Sequence, residues 1–349
     1  MTIDVCPEIA HQIRDAVRAI AGKVVGRSDR PAVGALPDYW PAFEEHGLSL
    51  VGVPEIAGGS GGSLAELVVV VDELARCAGS TPLIESNTAA FLLSLLETVA
   101  PAIRSVTIMP AVNRSDVRIR GMLAWGRRVE QAVLVAPDEL LVVDVAAVRL
   151  DVAENIAGEP RDLFEVQLED ARRYALPLPI QSIEARIHLL WSAAIVGAAT
   201  GAYELTRQYV AQRQQFGAPL ITIPSIAASL ARMRTAIVQA EAAVQRATEA
   251  LMDIRSDPDE QLAAAQVARV ITGQTATDVA AGCHQLHGAI GITAEYHLSD
   301  FTRLLWAWRD TVSSQRHLTA QLGRSVRVGG ERRLWHVLTR PRPAEEAHA

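Results

Sequence analysis

The chain has 349 residues, of which 49% are hydrophobic and 5% aromatic, and its formal net charge is −7. This length and composition exclude a disordered chain and are sufficient for two or three packed domains. The acidic charge argues against a nucleic-acid-binding protein, which carries a basic surface. Because there is no signal peptide and no apolar run of about 18 residues, we expect a cytoplasmic protein without a membrane span.

Residue counts argue against two kinds of site. Lys23 is the only lysine, so the glycine-rich run at residues 58–63 lacks the lysine with which a P-loop binds phosphate. The three cysteines, Cys6, Cys77 and Cys283, are far apart and form no C-x-x-C pair. We therefore predict no disulfide framework and no metal site.

Residues 1–103 are predicted to form an N-terminal helical domain. Hydrophobic periodicity indicates helices at residues 4–24, 38–46, 63–78 and 81–96. Ser63, followed three positions later by Glu66, is a capping box that predicts where the third helix begins.

Residues 104–176 are predicted to form a small middle β domain. Short runs of β-branched and alternating residues indicate strands at residues 117–121, 131–135, 139–143 and 164–168. Turn residues separate these runs, as expected for a compact β module.

Residues 177–349 are predicted to form a C-terminal four-helix bundle. The helices span residues 182–215, about 225–254, 257–288 and 296–323, and Asp257 with Pro258 marks the start of the third. Their spacing predicts the buried residues Ile187, Leu190, Leu230, Met233 and Ile237. The predicted fold class is mainly α with a small β module.

The most specific motif is R-Q-Q-F-G-A-P-L at residues 213–220. Arg213 and Phe216 lie at a predicted helix end beside a glycine turn, where an arginine fork suits a pyrophosphate and an aromatic ring suits a second ring. The alternative is that Arg213 interacts only with the last carbonyls of its helix.

Two further motifs accompany it in a fixed order. Q-L-H-G-A-I-G-I-T-A-E occupies residues 285–295, and G-L, V-P-E and G-G-S-G occur between residues 47 and 61. Together the three motifs resemble those of the acyl-CoA dehydrogenases. The resemblance covers nearly the whole chain and implies helices, a β module and a helical bundle.

The resemblance also implies a cofactor and a substrate. In that family FAD lies at a subunit interface, where a neighbouring subunit binds its pyrophosphate and adenosine end. Carried over to this sequence, Arg213, Phe216, Gln285 and Gly288 correspond to the half that serves a neighbour's FAD. The implied substrate is an acyl-CoA thioester.

The sequence departs from the family where the catalytic base is expected. Most members carry a glutamate in an I-Y-E-G-T segment, and counting from Arg303 places Val312 there. In another branch the glutamate lies on the first bundle helix, where this sequence has Ile187 followed by His188. None of these three side chains is a carboxylate.

Asp310 is the nearest acid and is the candidate catalytic residue of this chain. The alternative for Asp310 is a surface ion pair with Arg309 or Arg303, and Glu184 is a weaker candidate base. The segment that grips the flavin ring is also reduced, since only N-R-S-D at residues 113–116 remains. Trp125 is consistent with a residue beside a flavin or with a core residue of the β module.

His284 and His287 lie three residues apart, which allows a metal site or a pair of helix-end histidines near a phosphate, and we favour the second.

The motifs of the half of the FAD site that serves a neighbour are better kept than those of the half that serves this chain. This pattern resembles base-lacking partner subunits of heteromeric α2β2 acyl-CoA dehydrogenases of steroid degradation. Two alternatives stay open: a self-sufficient homo-oligomer that uses Asp310, and a flavin-free structural or regulatory paralogue.

Overall fold

Two groups of helices are separated along the chain by strands. The computed structural model describes residues 5–22, 34–96, 106–109, 113–114, 118–215, 217–293 and 296–339. The first helices are α1 (Pro7–Ala21), α2 (Trp40–Glu45), α3 (Leu64–Arg76) and α4 (Leu83–Ser94). The predicted capping box is confirmed: Ser63 Oγ accepts the Glu66 N–H at 3.2 Å, and Glu66 Oε2 accepts the Ser63 N–H at 2.6 Å.

Two four-stranded sheets follow these helices. The order in the first sheet is β1 (Val106–Met109), β4 (Gln131–Val135), β5 (Glu139–Asp144) and β8 (Arg172–Ala175). In that sheet β1 is parallel to β4, and the other pairs are antiparallel. The second sheet is antiparallel, in the order β2 (Asn113–Arg114), β3 (Arg118–Ala124), β7 (Arg161–Gln167) and β6 (Arg149–Asp151).

The strands β4 and β5 are buried on both faces. Ala132 and Leu134 of β4 pack into a core between the two sheets, together with residues such as Phe164. The alternate residues, Val133 and Val135, belong to the large core that the helices form. Because successive side chains of a strand point to opposite faces, both faces of β4 require apolar residues, which explains its uninterrupted apolar run.

The bundle is built around one long central helix. Its helices are α5 (Ile180–Gln212), α6 (Pro224–Met252), α7 (Pro258–His287) and α8 (Leu298–Arg309), and the hairpin of β9 (Gln214–Gln215) and β10 (Ala218–Pro219) links α5 to α6. The helix α5 packs against α3, α6, α7 and α8. The five residues predicted to be buried in the bundle are all at most 6% exposed.

The helix expected over residues 296–323, if it was not broken, is broken into two. The helix α8 ends at Arg309, and α9 (Gln315–Gly329) and α10 (Glu331–Thr339) follow. Val312 has a φ of 69°, and the Ser313 N–H donates to the Thr311 carbonyl at 2.8 Å, which closes a tight turn. Ser314 then caps α9 by accepting the His317 N–H at 3.3 Å.

The sequence of helices, sheets and helical bundle confirms the predicted fold class. The domain boundaries after residues 103 and 176 stay a prediction. Among the helices within the described ranges, none is long and apolar enough to span a bilayer.

Candidate functional site

A cavity of about 870 Å³ opens where α5 ends, α6 begins and α7 ends. Three of the four residues that the motifs predicted for cofactor binding, Arg213, Gln285 and Gly288, line this cavity. The fourth, Phe216, lies outside the described residues. Two motifs that are distant in sequence therefore meet at one end of the bundle.

Arg213 is the residue at which α5 stops. Its N–H donates to the Tyr209 carbonyl at 2.8 Å, and its own carbonyl accepts the Leu220 N–H at 2.8 Å, which fixes the β9–β10 hairpin. The side chain is exposed, and its guanidinium forms no ion pair or hydrogen bond with the residues that the structure describes. A cation without a partner at a cavity wall is suited to bind an anionic group.

Gly288 ends α7 in a conformation that only glycine adopts readily, with φ 62° and ψ −140°. A Cβ at this position would meet no atom within 4 Å, so the space beside the backbone is open. At Gly291, in contrast, a Cβ would lie 2.8 Å from the Cβ of His287. The first glycine therefore leaves room for a ligand beside the backbone, whereas the second allows the chain to pack.

An aromatic cluster of Tyr209, His287 and Tyr296 lies at this end of the bundle, and both Tyr209 and His287 line the cavity. The rings of Tyr209 and His287 stack at 4.4 Å and 21°, and Tyr296 packs against both. The sequence motifs did not predict this cluster, although Tyr209 precedes Arg213 by one helical turn and His287 directly precedes Gly288.

The two histidines of α7 have different environments. His287 is 4% exposed, and its Nδ1 lies 2.9 Å from the Cys283 carbonyl. His284 is outside the cavity wall, and its Nε2 lies 3.0 Å from Thr302 Oγ1. Within the described ranges, no three His, Cys, Asp or Glu side chains come together as a metal-binding group.

Asp310 lies at the end of α8 and is not part of the cavity wall. Its Oδ2 accepts hydrogen bonds from Nε and Nη2 of Arg309 at 2.9 and 2.6 Å, and its side chain is 43% exposed. Arg303 instead donates from Nε to the Ile156 carbonyl at 2.8 Å. The carboxylate is thus engaged in a surface ion pair with the adjacent arginine.

The turn between α8 and α9 is held from inside by Arg269. This side chain is fully buried, and its Nη2 donates to the carbonyls of Trp308 and Thr311. Burial lowers the pKa of Arg269 to about 10, so the side chain stays charged at neutral pH. Val312 therefore occupies a turn whose conformation its surroundings impose.

The two positions on α5 that the branch with a helix glutamate would use for its base are both buried. Ile187 is 2% exposed and belongs to the large core. Burial, with a further contribution from the Arg269 charge, lowers the pKa of His188 to about 3, so this ring is a weak base at neutral pH. Glu184, one turn earlier, is half-buried, and burial raises its pKa.

Two models of known protein domains match this chain. The model of the acyl-CoA dehydrogenase N-terminal domain matches residues 7–104, and that of the acyl-CoA dehydrogenase C-terminal domain matches residues 184–308. Together they cover more than half of the sequence. The chain belongs to the acyl-CoA dehydrogenase family.

Relatives of similar length share this fold. Acyl-CoA dehydrogenase IpdE2 of Mycobacterium tuberculosis (strain ATCC 25618 / H37Rv) is 27% identical over 341 residues, which cover 92% of this chain and 98% of the relative. A variant of the Tcur3481-Tcur3483 steroid ACAD superposes with a TM-score of 0.77 at 22% identity, covering 92% of this chain and 97% of that chain. The ChsE4-ChsE5 complex from Mycobacterium tuberculosis gives 0.76 at 15% identity, covering 94% and 98%.

In the β module of this acyl-CoA dehydrogenase family member, the Arg127 side chain is bound by carboxylates of the same module. Arg127 is bound by Asp162, which accepts its backbone N–H at 2.9 Å and its Nε at 3.0 Å, and Nη1 lies 3.2 Å from Glu154. Trp125 is 2% exposed with a φ of 57°, and its Nε1 has no partner among the described residues. Residues 115–117, which include part of the N-R-S-D segment, lie outside the described residues.

Proposed function

We propose that this chain is the base-lacking subunit of a heteromeric, FAD-dependent acyl-CoA dehydrogenase. The enzyme would oxidise an acyl-CoA thioester to the α,β-unsaturated product, as an α2β2 complex with a second acyl-CoA dehydrogenase-like subunit. One observation carries the proposal: Arg213, Gln285 and Gly288 line a single cavity at the bundle end, and the Arg213 guanidinium has no partner among the described residues.

The residues of the cavity fit the diphosphate end of FAD. Arg213 would neutralise phosphate charge through a bidentate contact, and the open space at Gly288 would let backbone amides approach the ligand. Gln285 would donate from its side-chain amide. Phe216 is assigned to the same half of the site on the motif alone.

Bound FAD would supply the acceptor for the hydride that leaves the substrate Cβ. The α-proton of the thioester requires a positioned base, and this chain offers Val312 and Ile187 at the two positions where the family carries it. His188 has a pKa of about 3, and Asp310 is paired with Arg309. The proposal therefore assigns proton abstraction to a carboxylate of the partner subunit.

The substrate class follows from the likeness to solved structures. One of them is described as a steroid ACAD. We extend that description to this chain and propose a CoA thioester that arises during steroid degradation, processed in the cytoplasm.

The proposal is tested by producing this chain with candidate partners. The candidates are longer acyl-CoA dehydrogenase-like chains that carry an E-G-T segment or a glutamate on the first bundle helix. We expect a stable complex with one FAD for each pair of unlike subunits, and little FAD on this chain alone. A homomer that is fully loaded with FAD and oxidises acyl-CoA would contradict the proposal, and its loss of activity on Asp310→Asn would identify Asp310 as the base.

A further inference from the structure

Arg213 and Gly288 line the same cavity but follow different helices. Contacts between those two helix ends must therefore set the distance between the two residues. Arg213 follows the last residue of α5, and Gly288 follows the last residue of α7. We infer that His287 and Tyr296 are positioning residues, which hold these two helix ends at the spacing that a diphosphate ligand requires. This inference rests on the proposed FAD site and adds to it two residues to which the motifs assign no part in cofactor binding.

The stack of Tyr209 on His287 is the direct link between the helix ends. The Tyr209 carbonyl accepts the Arg213 N–H at 2.8 Å, and His287 immediately precedes Gly288 in the chain. The two rings are nearly parallel, with centroids 4.4 Å apart. Rotation of the His287 ring would therefore break the stack that joins the two helix ends.

Hydrogen bonds fix the orientation of the His287 ring. Its Nδ1 lies 2.9 Å from the Cys283 carbonyl, which accepts only, so Nδ1 carries the proton. The Nε2 atom then accepts from the Tyr296 hydroxyl at 3.2 Å. Burial lowers the pKa of His287, which favours this neutral form. Both ring nitrogens thus have hydrogen-bond partners in the protein, and neither is left to bind the ligand directly.

A role in positioning predicts a different result from a role in folding. Loss of the Tyr296 hydroxyl leaves the packing of all three rings but frees the His287 ring to turn. The binding site then pays an ordering cost when a ligand arrives, so affinity falls while the fold is retained.

The test uses the complex of this chain with its partner subunit, freed of FAD, and ADP, the adenosine diphosphate part of FAD, titrated by isothermal calorimetry. We expect Tyr296→Phe to weaken ADP binding about fivefold, the equivalent of one hydrogen bond, without lowering the melting temperature. His287→Phe keeps a ring but removes both hydrogen bonds, and we expect a weakening of about tenfold. Tyr203→Phe removes a hydroxyl from α5 outside the cluster and is the matched control.

The double variant separates positioning from general disturbance. If Tyr296 acts through His287, adding Tyr296→Phe to His287→Phe has no further effect on ADP affinity. Additive losses, or equal ADP affinities of Tyr296→Phe and Tyr203→Phe, overturn the inference. If Arg213→Ala weakens ADP binding while the cluster variants do not, only the positioning role fails. If the wild-type complex binds no ADP, or Arg213→Ala leaves its affinity unchanged, the proposed FAD site fails together with the inference.

Discussion

The cavity at the end of the bundle and the turn between α8 and α9 differ in how their polar groups are satisfied. At the cavity, the Arg213 guanidinium forms no hydrogen bond or ion pair with the described residues, and the space beside Gly288 is open. At the turn, the carbonyls of Trp308 and Thr311 are bound by Arg269, and the Asp310 carboxylate is bound by Arg309. The first region leaves polar groups available to a ligand, whereas the carbonyls and the carboxylate of the second are bound by neighbouring arginines.

This difference bears on the proposed division of labour between two subunits. The exposed Arg213 guanidinium is available to an anionic ligand, whereas the Val312 side chain cannot accept a proton. The contrast favours a subunit that completes a neighbour's site over one that runs the reaction alone.

The largest expected effect is on turnover by the chain alone. Without a positioned base, we expect acyl-CoA oxidation by this chain to be about a hundred- to ten-thousandfold slower than by the heteromeric complex. The measurement is stopped-flow reduction of the bound flavin, normalised to FAD content. Equal rates for the chain and the complex would remove the functional contrast between the two regions.

The second effect concerns flavin affinity. Arg213→Ala removes a charge-assisted bidentate contact, so FAD binding by the complex should weaken by about 2 kcal/mol, or roughly thirtyfold. Arg213→Lys keeps the charge but not the fork, and an intermediate loss is expected. Arg207→Ala, an exposed arginine on the same helix, is the control and should leave the dissociation constant unchanged.

The third effect concerns the pH dependence of stability that the buried carboxyl group of Glu85 causes. Burial raises the pKa of Glu85 to about 7, although Arg161 at 3.7 Å opposes the shift. Between pH 4.5, the ordinary pKa of a glutamate, and pH 7, the folded chain keeps a proton that the unfolded chain loses, so stability falls as pH rises. The stabilising effect of Glu85→Gln on the free energy of unfolding should therefore be about 3 kcal/mol greater at pH 8 than at pH 4.

Urea unfolding at both pH values measures this difference. The exposed Glu45→Gln should show the same pH dependence as the wild type. If Glu85→Gln also kept the wild-type dependence, Glu85 would not hold a proton in the folded state.

The fourth effect concerns strain at the turn. A β-branched residue at a φ of 69° is unfavourable, and asparagine tolerates positive φ better, so Val312→Asn should raise the free energy of unfolding by about 1 kcal/mol. The exposed Val328, on α9, offers a contrast, because Val328→Asn should change stability by only a few tenths. Destabilisation by Val312→Asn would show that the valine side chain contributes contacts that outweigh the strain.

The smallest effect is expected at Asp310. Because its carboxylate is half-exposed and paired with Arg309, Asp310→Asn in the complex should leave turnover within about twofold and cost under about 1 kcal/mol of stability. A large drop in turnover at unchanged stability would make Asp310 the base and favour the homomeric alternative.

Local patterns predicted those features that depend on few residues. The strand Gln131–Val135 and the capping box at Ser63 follow from short-range sequence rules, and the structure confirms both. The break in the helix expected over residues 296–323 was left open by the sequence, because the carbonyls of the turn are bound by Arg269, a residue of another helix. Sequence periodicity carries no information about such a partner.

The same limit applies to the site. The motifs identified Arg213, Gln285 and Gly288 because each motif is contiguous, and the structure places them around one cavity. The stack of Tyr209 on His287 joins the ends of two helices that are remote in sequence. It could be found only once the packing of α5 against α7 was known.

The two-faced burial of β4 and β5 has a consequence for how the chain acquires its structure. Each strand contributes alternate side chains to two different cores, so neither core is complete before the other forms. A fragment of residues 104–176 would leave Val133, Val135, Leu140 and Val142 in water, and an exposed apolar sheet face of this kind promotes association between copies. The sheets and the helices should therefore melt in a single cooperative transition, and proteolysis or truncation at either edge of the β module should release an aggregating fragment rather than a stable one.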